Sequence, residues 1–308
     1  MKITFLDTAS LDLGDLDLDP LKRLGTYRGY KNSRQDQVVA RAKGAEVLIV
    51  NKCLLQKKEL SQLPSLKLIC VAATGVNNVD LTLAHQRGVV VCNVPGYSTT
   101  TVAEHTLLFL LAFSHRLLEH HQSACSGEWS RSKHFTVLDY PFSDLAGKTL
   151  GIIGYGAIGQ EVARLARAFR MRILIARRTP LSQLLRESDF VTLHCPLTRK
   201  TRHLIRAGNL KLMKPTAVLL NLARGPIVDE RAIANALHKK QIAGYGFDVL
   251  AQEPPPKHHP LLQKNLRNKV LSTPHVAWAS RESRQRLVNE MGQNILAFRR
   301  GKPRNQIT

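Results

Sequence analysis

The chain has 308 residues, enough for two domains of ordinary size with a large apolar core. Its composition, 44% hydrophobic and 22% charged, is ordinary for a soluble globular protein. The N-terminal segment "MKITFLDTAS" has too few successive apolar residues for a signal peptide. The densest apolar run, "LLFLLAF" at 107–113, is too short to span a membrane. We therefore expect neither secretion nor membrane insertion.

The net charge of +22 comes from 45 Lys and Arg against 23 Asp and Glu. The basic residues are scattered, and no basic segment is interleaved with aromatic residues as in single-strand binders. This distribution favours a solvated surface. Electrostatic steering of anionic small molecules is the next alternative, and nucleic-acid binding is the least favoured.

The cysteines are five in number and widely spaced, without a CxxC pair. An odd, dispersed set favours reduced thiols in a cytoplasmic protein over a disulfide framework or a zinc site. We expect no metal site.

The first part of the chain alternates short apolar runs with amphipathic or turn-forming segments, which is typical of a parallel α/β sheet. Strands are predicted at 3–6, 47–51, 66–73 and 89–94. Residues 100–124 keep apolar positions at helical spacing and are predicted to form one long helix.

A second α/β series follows that helix. Its apolar runs are "TLGIIG", "RILIA", "FVTLH", "AVLLNLA", "AGYGFDV" and "KVLSTPH". Five of the six end at a residue suited to ligand contact, as expected where loops follow the carboxyl ends of parallel strands. The last segment, 280–301, is helical again. We predict two domains: residues 1–98 with 279–308, interrupted by residues 99–278.

The stretch "TLGIIGYGAIG" indicates a phosphate-binding loop between a strand and a helix. Gly154 allows the tight turn, Gly156 lets a pyrophosphate approach the backbone, and Gly159 lets the helix pack closely on the strand. Free backbone amides at the N-terminus of the helix would hold the phosphates. The other residues of this loop expected to contact the cofactor are Tyr155, Ala157 and Ile158. The alternative is a glycine-rich turn without a ligand, which the strand and helix on either side make less favourable.

Polar side chains follow three later strands of this series. Arg224 comes directly after "AVLLNLA", Asp248 ends the next run with Glu253 five residues on, and His275 follows "KVLSTP". Because parallel strands share one carboxyl edge, these side chains can converge on one crevice. Singly, Arg224 fits a surface ion pair, Glu253 an acid at a helix start, and His275 an ordinary loop histidine.

Together, the three residues suit the reduction of a 2-oxo acid. Arg224 would bind a carboxylate bidentately, and His275 would give or take the proton on the substrate oxygen. Glu253 would hold the imidazole tautomer and favour its charged form. We therefore predict Arg224, Glu253 and His275 as catalytic residues.

The motifs "TLGIIGYGAIG", "HCPLT", "LMKPTAVLLNLARGPIVDE", "FDVLAQEPPP" and "TPHVAWASRE" resemble those of the D-2-hydroxyacid dehydrogenase family. The resemblance extends upstream through "VAATGVNNVDL" and "NVPGYSTTTVAEHT", from about residue 45 onward. "TPHVAWASRESRQR" and "ICVAATGVNNVD" look most like its glycerate dehydrogenase, or hydroxypyruvate reductase, branch. The resemblance implies two Rossmann-like domains with parallel sheets, in which a flavodoxin-like substrate domain is interrupted by the dinucleotide-binding domain, and an active site in the cleft between them.

The resemblance also implies residue roles. Arg224 falls on the substrate-binding arginine, Glu253 on the acid and His275 on the proton donor. Asp248 falls on the residue that contacts the nicotinamide carboxamide, and Gly75 and Val76 fall on the loop that binds the substrate carboxylate. Residues expected to lie along the cofactor are Leu222, Ala223, Cys195, Pro196 and Thr201. The 100–124 region is expected to help form a homodimer.

The chain departs from the family pattern on the adenosine side. Arg170 stands where most relatives carry glycine, and the segment after "RILIARR" is shorter, as if one strand were missing. Arg177 stands where most relatives carry an acid or a short polar loop, and Arg178 follows it. An acid there accepts the ribose 2′-hydroxyl of NAD, whereas arginine can pair with the 2′-phosphate of NADP. We predict a preference for NADP(H), with NAD(H) as the second cofactor. The alternative is that both arginines are surface residues beside an NAD pocket.

The sequence therefore predicts an NAD(P)H-dependent reductase of hydroxypyruvate or glyoxylate, forming D-glycerate or glycolate. The residue chemistry supports a 2-oxo acid, and the resemblance alone supports hydroxypyruvate. Alternatives are a family member acting on lactate, phosphoglycerate or phosphite, and a corepressor of the same fold that uses the cofactor to control assembly.

Overall fold

A computed structural model describes residues 1–307 of the chain. It divides into two compact units: Met1–Ser98 together with the chain from Trp278 onward, and Thr99–Ala277. Each unit is built on one sheet of parallel strands, so the predicted α/β fold class with two parallel sheets is confirmed.

The strands of the first unit are β1 (Lys2–Phe5), β2 (Thr26–Gly29), β3 (Val47–Val50), β4 (Leu68–Val71) and β5 (Val90–Cys92). Its helices are α1 (Asp19–Lys22), α2 (Val38–Ala42), α3 (Lys57–Leu60), α4 (Leu81–Gln86) and, from the end of the chain, α11 (Arg281–Arg299).

The sheet of the first unit has the order β2-β1-β3-β4-β5, which is the flavodoxin-like order. All residues of β3 and β4 are buried, because helices cover both faces of such a sheet and its central strands read as unbroken apolar runs. β2 was absent from the sequence prediction. It is the edge strand, three of its four residues are exposed, and it therefore lacks an apolar run.

The strands of the second unit are β6 (Thr149–Ile153), β7 (Arg172–Ile175), β8 (Phe190–Leu193), β9 (Val218–Asn221), β10 (Gly244–Phe247) and β11 (Val270–Ser272). Its helices are α5 (Thr99–Ser114), α6 (Leu117–Cys125), α7 (Ala157–Ala168), α8 (Leu181–Glu187), α9 (Ala207–Leu210) and α10 (Glu230–His238). Short 3-10 turns lie at Thr8–Ser10 and Gln35–Gln37 in the first unit, and at Trp129–Arg131, Gly225–Ile227, Pro260–Leu262 and Lys264–Leu266 in the second.

The sheet of the second unit has the order β11-β10-β9-β8-β6-β7. In the usual dinucleotide-binding sheet, the second strand of the domain pairs on its outer side with a third strand, which forms the edge. Here the second strand, β7, is itself the edge strand, and α8 leads from it directly to β8 on the other side of β6. The carboxyl end of β7 therefore lies at the edge of the sheet, next to the glycine-rich loop that follows β6.

The prediction of one helix over 100–124 is wrong, because the structure divides this segment into α5 and α6. Arg116 lies between them in the left-handed conformation, with φ of 49°. The carbonyl of Ser114 at the end of α5 accepts a hydrogen bond from the Ser143 amide at 3.1 Å instead of continuing the helix. The guanidinium of Arg116 then binds Glu119 in the first turn of α6. Apolar periodicity continues across the break, which is why the sequence pattern does not show it.

Three further observations bear on the sequence predictions. All five cysteines are free thiols. Within residues 1–307 there is no helix with the length and apolar character needed to cross a membrane. Arg170 has φ of 57°, in the left-handed region that favours glycine, so the residue that departs from the family pattern carries backbone strain.

Candidate active site

The glycine-rich loop joins β6 to α7 and meets the requirements of a pyrophosphate site. Gly154 has φ of 101°, and a Cβ there would lie 2.4 Å from the backbone nitrogen of Cys195. A Cβ on Gly159 would lie 2.1 Å from the carbonyl oxygen of Gly154, so the helix could not pack this closely on the loop. Both positions therefore require glycine for packing.

Gly156 differs from the other two glycines because a Cβ there would meet no atom within 4 Å. It is the N-cap of α7, and no side chain caps the helix at this point. The amides of the first turn, from Ala157 onward, are thus available to an anion, and the helix dipole favours negative charge there. The loop fits the diphosphate of a dinucleotide, with Tyr155 and Ile158 half-buried beside it.

The two arginines predicted to meet the adenosine end follow β7 in a tight turn. The amides of Arg178 and Thr179 both donate to the carbonyl of Ile175, at 2.8 and 2.9 Å. β7 pairs with β6, so this turn lies beside the strand that leads into the glycine-rich loop. Both arginine side chains are exposed, and neither has a hydrogen bond or ion pair to another of the residues from 1 to 307.

The segment after β8 lies on the other side of β6. Gly154 packs against His194 and Cys195, and burial raises the pKa of the half-buried Cys195 thiol. The hydroxyl of Thr201 donates to the Pro196 carbonyl at 2.7 Å and accepts from the Thr198 amide. Thr201 therefore closes the turn that presents Cys195 and Pro196 beside the glycine-rich loop.

Arg224 lies three residues after β9, and its turn is fixed by a buried side chain. Asn221 donates to the Arg224 carbonyl at 3.0 Å and accepts from the Ala223 amide at 3.1 Å. Nη1 of Arg224 donates to the Ala223 carbonyl, and the residue is half-buried. Leu222 and Ala223, the predicted cofactor neighbours, form the start of the same turn.

Glu253 and His275 are in direct contact, although they come from different strand ends. Oε2 of Glu253 lies 2.6 Å from Nδ1 of His275, and Oε1 accepts from the Leu250 amide at 2.8 Å. A carboxylate only accepts hydrogen bonds, so Nδ1 of His275 carries the hydrogen. Nδ1 of His275 therefore faces the acid, and Nε2 is the other ring nitrogen of the imidazole.

Asp248 is buried directly after β10 and organises the loop that carries His275. Its Oδ1 accepts from the Thr273 hydroxyl at 2.5 Å and from the Val276 amide at 2.8 Å. Its Oδ2 accepts from the Ala277 amide at 2.9 Å. Each carboxylate oxygen has about two acceptor positions, so one position on Oδ2 remains for a donor such as a carboxamide N–H.

β11, β10 and β9 are neighbours in the sheet, so Arg224, Asp248 and His275 all lie at its carboxyl edge. A cavity of about 770 Å³ in the same unit lies at the opposite edge. Its lining includes residues that immediately precede the strands, namely Lys148, Asp189, Ala243 and Lys269. The predicted catalytic residues are therefore not part of that cavity.

In the first unit, Gly75 and Val76 belong to the loop after β4. The Thr74 hydroxyl donates to the Val94 carbonyl at 3.1 Å, and the side chain of Asn78 donates to the carbonyls of Asn51 and Cys53. This loop is thereby fastened on both sides of Gly75 and Val76.

Comparison with known proteins identifies the family. Residues 107–277 match the family described as D-isomer specific 2-hydroxyacid dehydrogenase, NAD binding domain. The glycerate dehydrogenase of Methylorubrum extorquens is 42% identical over 99% of this chain and 98% of its own length. The chain belongs to the D-isomer specific 2-hydroxyacid dehydrogenase family. Members of this family are NAD(P)-dependent oxidoreductases, and the unit that contains the glycine-rich loop is their NAD-binding domain.

Two further relatives match this chain over nearly its whole length. The hydroxypyruvate reductase of Blautia hydrogenotrophica is 34% identical over 100% of this chain and 99% of its own. The solved structure of an NADPH-dependent glyoxylate/hydroxypyruvate reductase from Sinorhizobium meliloti, in complex with NADP and malonate, is 28% identical. It matches with a TM-score of 0.83 over 100% of this chain and 96% of that one.

Several residues that shape this candidate site are missing from the sequence prediction. Asn221 fixes the Arg224 turn, Thr273 binds Asp248, and His105 contacts Thr273 from α5. Glu230 accepts from the Ala251 amide and contacts His259, and so fastens the loop that carries Glu253. Asn221 and Thr273 are polar residues at strand ends, close in sequence to predicted site residues, and this position is a weak indication that they belong to the site. His105 lies in the segment "NVPGYSTTTVAEHT" that resembles the family, but no local pattern indicates its partner, which is 168 residues away.

Proposed function

We propose that this protein is an NADPH-dependent reductase of hydroxypyruvate or glyoxylate, which forms D-glycerate or glycolate and catalyses the reverse oxidation. The observation that carries the proposal is the contact of 2.6 Å between Glu253 and His275 at the carboxyl edge of the NAD-binding domain. Arg224 follows another strand of that same edge. An acid, a histidine and an arginine in this placement suit a substrate that has a carboxylate beside a carbonyl.

Each residue has one step in the proposed reaction. When bound, the nicotinamide supplies the hydride that reduces the keto carbon. Arg224 binds the substrate carboxylate through two parallel hydrogen bonds and so orients the keto group. Nε2 of His275 gives its proton to the keto oxygen, while Glu253 holds Nδ1 and stabilises the positive imidazolium.

Two further contacts belong to the same proposal. The remaining acceptor position on Asp248 Oδ2 would bind the nicotinamide carboxamide. We assign the backbone amides of Gly75 and Val76 to the substrate carboxylate. In the reverse direction, His275 accepts the proton of the 2-hydroxyl group.

The choice of substrate follows from the relatives. A glycerate dehydrogenase and a hydroxypyruvate reductase each match this chain over nearly its whole length. The relative from Sinorhizobium meliloti acts on glyoxylate and hydroxypyruvate with NADPH. Both acids are small, and each presents the carboxylate and carbonyl for which Arg224 and His275 are suited.

Initial rates with hydroxypyruvate, glyoxylate, pyruvate and 3-phosphohydroxypyruvate, each with NADH and NADPH, test this proposal. We expect the highest kcat/KM for hydroxypyruvate or glyoxylate. A preference for pyruvate or 3-phosphohydroxypyruvate would assign the chain to another activity of the family. Oxidation of neither cofactor with any of the four acids would contradict a reductase.

We infer NADPH preference from the turn after β7. The two exposed guanidinium groups of Arg177 and Arg178 lie beside the strand that leads into the glycine-rich loop. In this type of fold, the residue after the second strand meets the adenosine ribose. Arginine can pair there with a 2′-phosphate, and no carboxylate in the turn accepts the 2′-hydroxyl of NAD.

We also propose a homodimer that involves α5 and α6. Leu108, Leu117 and Leu118 are large apolar side chains with about half of their surface exposed. The segment that follows α6 has four more large apolar side chains that are more than half exposed, namely Trp129, Phe135, Leu138 and Phe142. Sedimentation of Leu117→Asp should show a monomer, whereas the control Leu13→Asp, at an exposed leucine of the first unit, should sediment as the wild type does. A monomeric wild type would contradict the dimer.

A further inference from the structure

A chain of hydrogen bonds runs from the middle of α5 to the loop that carries His275. Nε2 of His105 lies 3.0 Å from the Thr273 hydroxyl, and that hydroxyl lies 2.5 Å from Oδ1 of Asp248. The Asp248 carboxylate then accepts the amides of Val276 and Ala277. The chain therefore joins a helix, two strand ends and the backbone that follows His275.

The direction of each hydrogen bond follows from what the groups can donate. A carboxylate only accepts, so the single hydrogen of the Thr273 hydroxyl points to Asp248. The hydroxyl must then accept from His105, and Nε2 of His105 carries the hydrogen. Burial lowers the pKa of His105, against the opposing effect of the negative charge on Asp248. In the neutral ring, one nitrogen carries the hydrogen, so Nδ1 of His105 is bare.

The backbone that this chain holds is strained. His275 has φ of 57°, in the left-handed region, where the Cβ of a residue other than glycine lies too close to the following carbonyl oxygen. The His275 amide donates to the Thr273 carbonyl at 3.0 Å, and the next two amides are bound by Asp248. Asp248 is thus the group that keeps His275 in a conformation that an unrestrained loop would leave.

We propose that His105 and Thr273 are positioning residues for the reaction: they orient the Asp248 carboxylate, which holds His275 in place against Glu253. The inference rests on the proposed function, since it assigns the two residues to the step in which His275 transfers a proton. Neither residue touches the reacting atoms. Both act through Asp248, and a variant that breaks the chain leaves Arg224 and the glycine-rich loop unchanged.

Thr273→Val tests the chain, because valine keeps the shape and removes the hydroxyl. We expect kcat for the 2-oxo acid to fall at least tenfold while its KM changes less than threefold. Thr273→Ser should restore kcat to within threefold of the wild type. The matched control is Thr106→Val on α5, because the hydroxyl of buried Thr106 donates only within its own helix, to the Val102 carbonyl. This control should lose thermal stability without losing kcat.

His105 is tested in the same way. His105→Gln keeps a donor near the position of Nε2 and should retain most of kcat, whereas His105→Phe removes the donor and should behave as Thr273→Val does. The proposal is overturned if Thr273→Val keeps kcat within twofold of the wild type, or if Thr106→Val loses as much kcat as Thr273→Val.

A second measurement needs no turnover. Nitrogen-15 spectra of the histidine rings in the cofactor-free enzyme, assigned with His105→Gln and His275→Asn, should show His105 with hydrogen on Nε2 and a bare Nδ1. In Thr273→Val, the Nδ1 signal of His275 should change. A hydrogen on Nδ1 of His105, or an unchanged His275 signal, would overturn the inference. If the wild type reduces none of the 2-oxo acids, the proposed function fails, and these spectra still decide whether the chain of hydrogen bonds exists.

Discussion

The two ends of the carboxyl edge in the NAD-binding domain are built differently. At the β9–β11 end, the carboxylates are fastened by several donors. Asp248 accepts three hydrogen bonds, and Glu253 accepts the Leu250 amide as well as contacting His275. At the β7 end, Arg177 and Arg178 are exposed side chains in the turn that follows an edge strand. The carboxylates at the β9–β11 end are thus held by hydrogen bonds within the protein, whereas the guanidinium groups at the β7 end are exposed to solvent and can bind a ligand.

This difference indicates how the two ends tolerate substitution. A change at the β9–β11 end disturbs a set of mutually bonded groups, so several contacts are lost together. A change at the β7 end removes one exposed side chain and leaves the fold intact. We therefore expect the chemistry to be sensitive to single substitutions and the choice of cofactor to be adjustable by them.

The largest expected effect is that of His275→Ala. Loss of the proton donor should lower kcat for reduction by about 10²–10⁴-fold, the range typical of general acid–base catalysis. Binding of NADPH, measured by calorimetry without substrate, should stay within a factor of about three, because the glycine-rich loop is unchanged. A variant that keeps turnover near the wild-type level would assign the proton to another group.

Arg224→Ala should have the next largest effect. Removing one partner of a desolvated, hydrogen-bonded charge pair costs about 2–5 kcal/mol, which is expected as a lower kcat/KM together with a raised KM for the 2-oxo acid. The KM for NADPH should change little. Steady-state kinetics close to those of the wild type would remove Arg224 from the substrate site.

Arg177→Asp tests the other end of the edge. The variant should lose NADPH affinity and gain use of NADH, a swing of about 1.5–3 kcal/mol for one charge-assisted hydrogen bond. The measurement is KM and kcat for both cofactors in the wild type and in the variant. Arg186→Asp is a suitable control, since Arg186 lies in the last turn of α8 rather than after β7. A wild type that prefers NADH, or a variant with an unchanged cofactor ratio, would show that Arg177 is only a surface residue.

Glu253→Gln should have the smallest effect of the four, because it keeps the shape and a hydrogen-bond acceptor beside His275. The glutamine side chain can still accept the hydrogen bond from Nδ1 of His275, but it carries no negative charge. We therefore expect kcat for the 2-oxo acid to fall while its KM changes little. A kcat equal to that of the wild type would show that the charge of Glu253 is not needed for turnover, despite the contact with His275.

The strand ends could be predicted from the sequence because their signals are local. An apolar run followed by a polar residue locates Arg224, Asp248 and His275, and the rule that parallel strands share a carboxyl edge brings them to one end of the sheet. The contact between Glu253 and His275 follows from that topology and from a short loop. The catalytic roles of these residues remain predictions.

Three features could not be predicted from the sequence, because they depend on contacts between distant residues or lack an apolar run. His105 reaches Thr273 across 168 residues, and nothing near either residue indicates the other. β2 is an exposed edge strand and so lacks the apolar run by which the other strands are recognised. The break at Arg116 depends on Ser143 bonding to the end of α5, so the helical periodicity of 100–124 conceals it.

Product analysis tests the central claim, that His275 and Arg224 serve a D-specific reduction of a 2-oxo acid, most directly. The enzyme is incubated with hydroxypyruvate and NADPH, and the glycerate is resolved by chiral chromatography while cofactor consumption is followed by absorbance. We expect D-glycerate alone, in equal amount to the NADPH consumed, and almost none from His275→Ala. Formation of L-glycerate, or of product at an undiminished rate in His275→Ala, would contradict the account.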